Sequence, residues 1–212
     1  MDRSPAGSIP RPLKAVFLDR DGVLNEKMPE GHYVTSWSGF HLLPGVPEAI
    51  ARLNRAGLRV VVVSNQRGIA LGLYTAADVE AIHGHLQRQL EGRGAHVDAF
   101  YFCPHDKAQC NCRKPLPGLF EQARADFPEI EAESSAMIGD SHSDIEFGNR
   151  LGMFTIWIEG SAENRKREWE EARRLANMRS GSLLEAVNAL TENQDYQPVA
   201  KVEAPQKPSL SG

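Results

Sequence analysis

The chain has 212 residues, which is enough for one domain with a core of ordinary size. Its formal net charge of −4 gives no general attraction to nucleic acid or to an anionic membrane surface. No apolar run approaches the roughly 20 residues of a membrane span, and residues 1–12 contain no apolar segment typical of signal peptides. We therefore expect a cytoplasmic monomer with a small-molecule partner and with neither nucleic acid nor a membrane as a partner.

Strands and helices are predicted to alternate along most of the chain. Residues 1–13 contain too little apolar surface to pack and are predicted to form a disordered leader. Short apolar runs predict strands at residues 14–18, 59–63, 97–102, 135–138 and 153–158. Apolar residues at helical spacing predict helices between Pro44 and Gly57, from Thr75 to Gly92, over 118–127, up to about Leu151, and over 163–178 and 183–190. Proline, glutamine, lysine and serine dominate residues 191–212, which are predicted to form a disordered tail.

This alternation predicts a parallel, doubly wound α/β domain over residues 14–190. The continuous valines of the second strand indicate burial on both faces, which is typical of a parallel sheet. Residues 20–43 contain glycine, proline, histidine and aromatic residues without a helical period. We interpret this segment, called the flap below, as a β-hairpin that lies over the end of the first strand.

Polar residues that suit phosphoryl transfer follow four successive predicted strands. Asp19 and Asp21 follow the first strand and Ser64 follows the second. Lys114 comes some ten residues after the third strand, and Asp140 follows the fourth. Because the carboxyl ends of parallel strands meet at one edge of a sheet, we expect these side chains to lie in one crevice.

The chemistry of phosphate esters gives each of these residues a role. A phosphate monoester is a dianion that repels a carboxylate nucleophile, so Mg²⁺ has to lie between them. Asp19, the backbone carbonyl of Asp21, and Asp140 are the predicted Mg²⁺ ligands. Asp19 is the predicted nucleophile and Asp21 the predicted general acid and base, while Ser64 and Lys114 contact the phosphoryl oxygens. Each residue alone is more simply a turn or capping residue, and only their joint occurrence favours the catalytic interpretation.

All three cysteines of the chain fall within ten residues, in a loop that we call the cysteine loop, residues 103–117. Three thiolates and one imidazole form the closed ligand set of a structural Zn²⁺ site, here Cys103, His105, Cys110 and Cys112. The alternatives are a free buried cysteine beside a surface histidine, or a Cys110–Cys112 disulfide. A bound zinc ion would stiffen the loop that carries Arg113 and Lys114.

Four short motifs together resemble those of haloacid-dehalogenase-like phosphatases: Asp19-x-Asp21-Gly22, Ser64, Lys114 and Gly139-Asp140-x-x-x-Asp144. The resemblance covers about residues 14–190. It implies a Rossmann-like sheet whose first and fourth strands are neighbours, so that Asp140 lies beside Asp19. The intervals after the first and third strands hold only the flap and the cysteine loop, so we expect a member without a cap domain and with an open site.

Members of this family that combine a zinc loop with a missing cap resemble the chain most, and they act either on a heptose bisphosphate or on histidinol phosphate. The resemblance implies removal of the C7 phosphate of D-glycero-D-manno-heptose 1,7-bisphosphate, with histidinol phosphate as the alternative substrate. The expected substrate contacts are Gly31, His32, Tyr33, Asn65, Gln66 and Arg113. A zinc-containing binding module on a catalytically inactive scaffold is a second alternative.

Overall fold

The computed structural model describes residues 9–10, 12–159 and 167–192. Most of the predicted leader, most of the predicted tail and the start of the predicted helix over 163–178 lie outside the described residues. The last part of the predicted leader belongs to the core, since Leu13 is buried and Ile9 packs against the same apolar cluster. Two apolar residues near the first strand are enough to attach this stretch to the domain.

One sheet of six parallel strands organises the domain, in the order β3-β2-β1-β4-β5-β6. The strands are β1 (Ala15–Leu18), β2 (Arg59–Asn65), β3 (Ala99–Cys103), β4 (Ser135–Gly139), β5 (Phe154–Ile158) and β6 (Met178–Ser180). The prediction that the first and fourth strands are neighbours is confirmed, because β1 pairs with both β2 and β4. The sixth strand was not predicted, because its three residues contain a single apolar side chain.

Helices cover both faces of the sheet. They are α1 (Val46–Arg55), α2 (Ala76–Glu91), α3 (Gly118–Asp126), α4 (His142–Leu151), α5 (Arg167–Leu175) and α6 (Leu183–Thr191). Ile50, Leu86 and Val187 bring α1, α2 and α6 into one apolar cluster with Val16 of β1. Helices α3 and α4 contribute to a second cluster on the opposite face, which confirms the doubly wound α/β fold. Among the described residues, none of the helices has the length and apolar character needed to cross a membrane.

The flap does not form the predicted β-hairpin. It contains two isolated bridges, Asp21 with Asn25 and Asn25 with Leu42, and one turn of 3₁₀ helix at Trp37–Gly39. The side chain of buried Asn25 donates to Asp21 Oδ1 and to the Glu26 carbonyl, so polar loop contacts replace a strand ladder at this position. Between β1 and β2 the chain forms the flap, followed by α1. Between β3 and β4 it forms the cysteine loop, followed by α3.

Candidate active site

Three buried aspartates meet at the carboxyl edge of the sheet. Asp19 follows β1, Asp140 follows β4, and Asp144 lies in the first turn of α4. Each offers a carboxylate oxygen, and these oxygens lie within 4.8 Å of one another. The pairing of β1 with β4 explains why residues more than a hundred positions apart share this site. Oxygen atoms from carboxylates are the ligands that Mg²⁺ prefers in proteins.

Asp140 presents one oxygen that has no partner. Its Oδ2 lies 2.6 Å from the ammonium nitrogen of Lys27, while its buried Oδ1 has no hydrogen-bond partner among the described residues. Gly22, at φ +92°, allows this carboxylate to approach, because a Cβ there would lie 2.2 Å from Asp140 Oδ2. Since buried polar atoms are almost always satisfied, an unpartnered carboxylate oxygen beside two other carboxylates fits a cation-binding site.

Lys114 is buried between two of these aspartates. Its Nζ lies 2.8 Å from Asp19 Oδ1 and 2.6 Å from Asp144 Oδ1, and it donates a hydrogen bond of 2.6 Å to the Val63 carbonyl. The Asn65 side chain fixes the backbone of Lys114 by accepting from its N–H at 3.0 Å and donating to its carbonyl at 3.1 Å. Asn65, expected to contact substrate, therefore also positions the lysine.

Asp144 connects Lys114 to helix α4. Its Oδ2 accepts hydrogen bonds from the backbone N–H of Ser141 at 3.0 Å and from the Ser141 hydroxyl at 2.6 Å, which caps the start of the helix. A Cβ on Gly139 would lie 2.2 Å from the Asp144 Cβ, so the glycine of this motif makes room for the aspartate. Asp144 thus fixes the orientation of the lysine through a rigid helix end.

The crowding of the carboxylates raises their pKa values. Burial, with a further contribution from the Asp144 charge, raises the pKa of Asp19 to about 7, although Lys114 opposes the shift. Burial likewise raises the pKa of Asp140 to about 6, against the opposing charge of Lys27. The pKa of Lys114 is raised even though burial acts to lower it, because the charges of Asp144 and Asp19 outweigh desolvation. A bound divalent cation would reduce the repulsion between these carboxylates.

Asp21 makes a different set of contacts from the three clustered aspartates. Arg20, itself almost fully buried, places Nη2 2.9 Å from both carboxylate oxygens, and Asn25 and Gln66 donate hydrogen bonds of 2.9 and 3.1 Å. Burial acts to raise the pKa of Asp21, but the Arg20 charge and these hydrogen bonds hold it below its usual value. The arrangement favours an ionised Asp21, whereas the predicted role as general acid requires a protonated one.

Ser64 and Gln66 form a buried hydrogen-bonded link between β2 and Asp21. The Gln66 amide donates to Ser64 Oγ at 3.2 Å as well as to Asp21, and its carbonyl oxygen accepts from the Tyr74 hydroxyl at 2.8 Å. Sequence reasoning missed Arg20 and Tyr74 as members of this network. The burial of Arg20 between two aspartates cannot be predicted from hydrophobic periodicity. Tyr74 contacts Gln66 because of the conformation of the loop before α2, which the sequence does not reveal.

The four predicted zinc ligands lie together in the cysteine loop. The ligand atoms of Cys103, His105, Cys110 and Cys112 are all within 4.8 Å of one another. The Cys110 sulfur lies 3.5 Å from the Cys103 sulfur and 3.3 Å from the Cys112 sulfur. Sulfurs bound to one tetrahedral zinc ion are about 3.8 Å apart, so the cluster fits the ion closely. All three thiols are free, and 3.3 Å between Cys110 and Cys112 is far beyond a disulfide bond of about 2.05 Å.

Contacts tie the cysteine loop to the end of β2. The Cys103 carbonyl accepts a 2.8 Å hydrogen bond from the Gln66 backbone, and Asp106 forms an ion pair of 2.6 Å with Arg67. Together with the two hydrogen bonds between Asn65 and Lys114, these contacts connect the position of Lys114 to the conformation of the loop.

A cleft of about 960 Å³ opens between the flap, the aspartate cluster and the end of β5. All six expected substrate contacts line it, namely Gly31, His32, Tyr33, Asn65, Gln66 and Arg113. Arg113 has a buried Nη1 without a hydrogen-bond partner in the described part of the chain. The wall on the flap side also includes Glu26, Lys27 and Glu30.

Known proteins with similar sequences and structures indicate the family to which this chain belongs. Residues 111–179 match the family model described as HAD-hydrolase-like. The D-glycero-alpha-D-manno-heptose-1,7-bisphosphate 7-phosphatase of Mycobacterium tuberculosis is 44% identical over 137 residues, which cover 64% of this chain and 72% of that protein. The D-glycero-beta-D-manno-heptose-1,7-bisphosphate 7-phosphatase of Bordetella bronchiseptica is 36% identical over 155 residues, which cover 73% of this chain and 84% of that protein.

A solved structure has the same fold. The D,D-heptose 1,7-bisphosphate phosphatase from B. bronchiseptica, complexed with magnesium and phosphate, matches with a TM-score of 0.74 at 30% sequence identity. The match covers 84% of this chain and 98% of that chain. The sheet order, the motif residues gathered at its carboxyl edge and these relatives lead to one conclusion: the chain belongs to the haloacid-dehalogenase-like phosphatases.

Proposed function

We propose that the protein is a Mg²⁺-dependent phosphatase that removes the C7 phosphate of D-glycero-D-manno-heptose 1,7-bisphosphate. The observation that carries the proposal is the buried cluster of Asp19, Asp140 and Asp144, in which Asp140 lines a wide cleft and has one oxygen without a hydrogen-bond partner in the described chain. The names of the relatives and the magnesium and phosphate in the solved B. bronchiseptica enzyme support the metal and the substrate class.

Asp19, Asp140 and the backbone carbonyl of Asp21 would hold the magnesium ion. When bound, Mg²⁺ screens the carboxylate charge from the phosphate dianion and polarises the phosphoryl group. The chain supplies the remaining charge through Lys114, which holds Asp19 Oδ1 and reaches the non-bridging phosphate oxygens. Ser64 adds a hydroxyl donor at the end of β2.

The reaction proceeds in two steps through Asp19. A carboxylate oxygen of Asp19 attacks phosphorus, the bond from phosphorus to the C7 oxygen breaks, and Asp21 gives its proton to the departing alkoxide. Water then attacks the aspartyl-phosphate, gives a proton to Asp21 and releases inorganic phosphate with Asp19 restored. Before the first step Asp21 has to take up a proton and loosen its contact with Arg20, since the observed contacts favour its ionised form.

Arg113 is the proposed contact for the second phosphate of the substrate. It lines the cleft next to Lys114 and has an unpartnered buried Nη1 in the described chain. A guanidinium binds phosphate through two parallel hydrogen bonds, so Arg113 would hold the distal C1 phosphate. Gly31, His32 and Tyr33 of the flap would contact the sugar hydroxyls.

Histidinol phosphate is the second candidate substrate because the flap wall of the cleft is partly acidic. Glu26 and Glu30 line the cleft on that side, and carboxylates there would suit the amine of histidinol phosphate. The unpartnered guanidinium nitrogen favours the bisphosphate, since histidinol phosphate brings no second anion.

A structural Zn²⁺ ion in the cysteine loop completes the proposed cofactors. Its ligands would be the four clustered residues of the loop. The ligand set leaves no open position for water, so the zinc ion stabilises the loop and takes no part in the reaction. We further propose that the protein acts as a cytoplasmic monomer, which light scattering of the purified chain would test.

A substrate panel tests the proposed function. The values of kcat/KM for heptose 1,7-bisphosphate, histidinol phosphate and an aryl phosphate are compared with and without Mg²⁺. We expect Mg²⁺-dependent turnover of all three, the highest value for the bisphosphate, and heptose 1-phosphate as its product. A higher value for histidinol phosphate would remove the heptose assignment, and no turnover of any of the three would support the non-catalytic alternative.

A further inference from the structure

Lys27 is a cation of the flap that reaches into the aspartate cluster. Its Nζ lies 2.6 Å from Asp140 Oδ2, and the side chain is 43% exposed while that of Asp140 is 7% exposed. The lysine also lines the cleft. Lys114 contacts Asp19 and Asp144, whereas Lys27 contacts Asp140, so the two lysines pair with different members of the cluster.

The backbone next to Lys27 is held in place by hydrogen bonds. Asn25, two residues earlier, is fully buried and donates to Asp21 and to the Glu26 carbonyl. The Glu26 backbone N–H donates to the His41 carbonyl at 2.9 Å. The flexible lysine side chain therefore starts from an anchored backbone.

Lys27 and a divalent cation compete for the negative charge of the same carboxylate, and their positive charges repel each other. Asp140 is a proposed Mg²⁺ ligand, and one of its two oxygens already forms the ion pair with Lys27. A cation on Asp140 would neutralise part of its charge and weaken the ion pair with Lys27. Asp19 offers a carboxylate oxygen within 4.8 Å of one on Asp140, so a phosphate on Asp19 would bring anionic oxygens close to the weakened ion pair.

We propose that Lys27 competes with Mg²⁺ for Asp140 and that its displaced ammonium group binds an oxygen of the phosphate being transferred. The proposal rests on the proposed phosphatase function and adds a second lysine to the reaction centre, at a different aspartate from the two that Lys114 contacts. Lys27 thereby differs from Arg113, because it contacts the reacting phosphate of every substrate whereas Arg113 contacts only a distal phosphate.

Lys27→Met and a matched control, Lys14→Met, test this proposal. Lys14 lies just before β1, is 42% exposed and forms an ion pair of 3.0 Å with Glu131, so it matches Lys27 in exposure and also pairs with a carboxylate, here an exposed one away from the cleft. Calorimetric titration of the zinc-containing, substrate-free protein with MgCl₂ gives the Mg²⁺ dissociation constant. We expect Lys27→Met to bind Mg²⁺ about tenfold more tightly than the wild type, and Lys14→Met to bind it equally.

Turnover at saturating Mg²⁺ tests the second half of the proposal. For Lys27→Met we expect kcat/KM to fall about tenfold for the aryl phosphate and for the heptose bisphosphate alike. Lys27→Gln, which keeps a polar side chain, should behave in the same way and guards against a local packing defect of the methionine variant.

The outcomes separate the two proposals. Equal Mg²⁺ affinity in the wild type and both Lys27 variants would overturn the competition and leave the phosphatase function intact. Tighter Mg²⁺ binding with unchanged kcat/KM would overturn the phosphate contact. Absence of Mg²⁺ binding in the wild type would overturn the proposed metal-dependent function together with the role of Lys27.

Discussion

The strand ends and the flap line the same cleft but are built differently. Asp19, Lys114 and Asp144 are buried and bound to one another, and each comes from an element attached to the sheet. In the flap, residues 26–32 are all exposed, and the backbone is irregular. The buried side chains at the strand ends are therefore tied to the fold, while the exposed flap residues proposed to contact the rest of the substrate can change with little effect on it.

Asp19→Asn tests the strand-end half of this comparison and should have the largest effect. A neutral amide cannot attack phosphorus, so we expect kcat to fall by about 10³-fold or more for every substrate. The thermal unfolding midpoint should stay close to that of the wild type, because the substitution keeps the shape of the side chain. Asp126→Asn, outside the cleft, serves as the control and should keep full activity. Substantial residual turnover in Asp19→Asn would rule out the covalent mechanism.

Cys110→Ser tests whether the strand ends depend on the cysteine loop. The zinc content should fall from about one ion per chain to nearly none, and the thermal midpoint by about 5–10 °C, because structural metal contributes to folding free energy. Turnover should fall for all substrates, since Lys114 would be held less firmly. Metal analysis and a thermal melt measure both effects. Gln109→Ser, in the same loop, should retain zinc, and a wild type purified without zinc under reducing conditions would contradict the assignment.

Arg113→Ala should separate selectivity from chemistry. Loss of charge-assisted hydrogen bonds to the distal phosphate should lower kcat/KM for the heptose bisphosphate about 10- to 100-fold. The value for an aryl phosphate should change by no more than about twofold, because that substrate has no distal phosphate. Arg52→Ala on α1 is the control. An equal loss for both substrates would place Arg113 in the chemistry and remove its role in recognition.

The pH dependence of Mg²⁺ binding should be the smallest effect. Burial raises the pKa of Asp19 to about 7 and that of Asp140 to about 6, and only the deprotonated carboxylates bind the ion. Protons therefore compete with Mg²⁺ as the pH falls through this range, and we expect the affinity to be about tenfold weaker at pH 6 than at pH 8. Titrations of the substrate-free protein with MgCl₂ at the two pH values measure this change in affinity. An affinity independent of pH would show that the carboxylates are ionised throughout.

The sequence predicted the strand ends well because each position carries two independent signals. Asp19 and Asp140 each follow a continuous apolar run, and each belongs to a recognisable motif. The neighbouring position of β1 and β4 then followed from the family resemblance and is confirmed by the strand pairing. The cysteine cluster was equally visible, because its residue types are rare and closely spaced.

The flap and the contacts across the site could not be predicted in the same way. The interpretation as a hairpin was wrong because the backbone there follows side-chain contacts of Asn25, which no periodicity reveals. Lys27, Arg20 and Tyr74 reach the site through tertiary packing, and their local sequence is that of ordinary loop residues. Strand β6 is too short to give an apolar pattern.

Trapping of the phosphoenzyme tests the central claim most directly. The protein is mixed with a substrate carrying a labelled C7 phosphate in the presence of Mg²⁺, quenched in acid within milliseconds and digested. Our account predicts label on the peptide that contains Asp19, lost on treatment with hydroxylamine and never formed in Asp19→Asn. Turnover that leaves no label on the protein, or label on a residue other than Asp19, would contradict it.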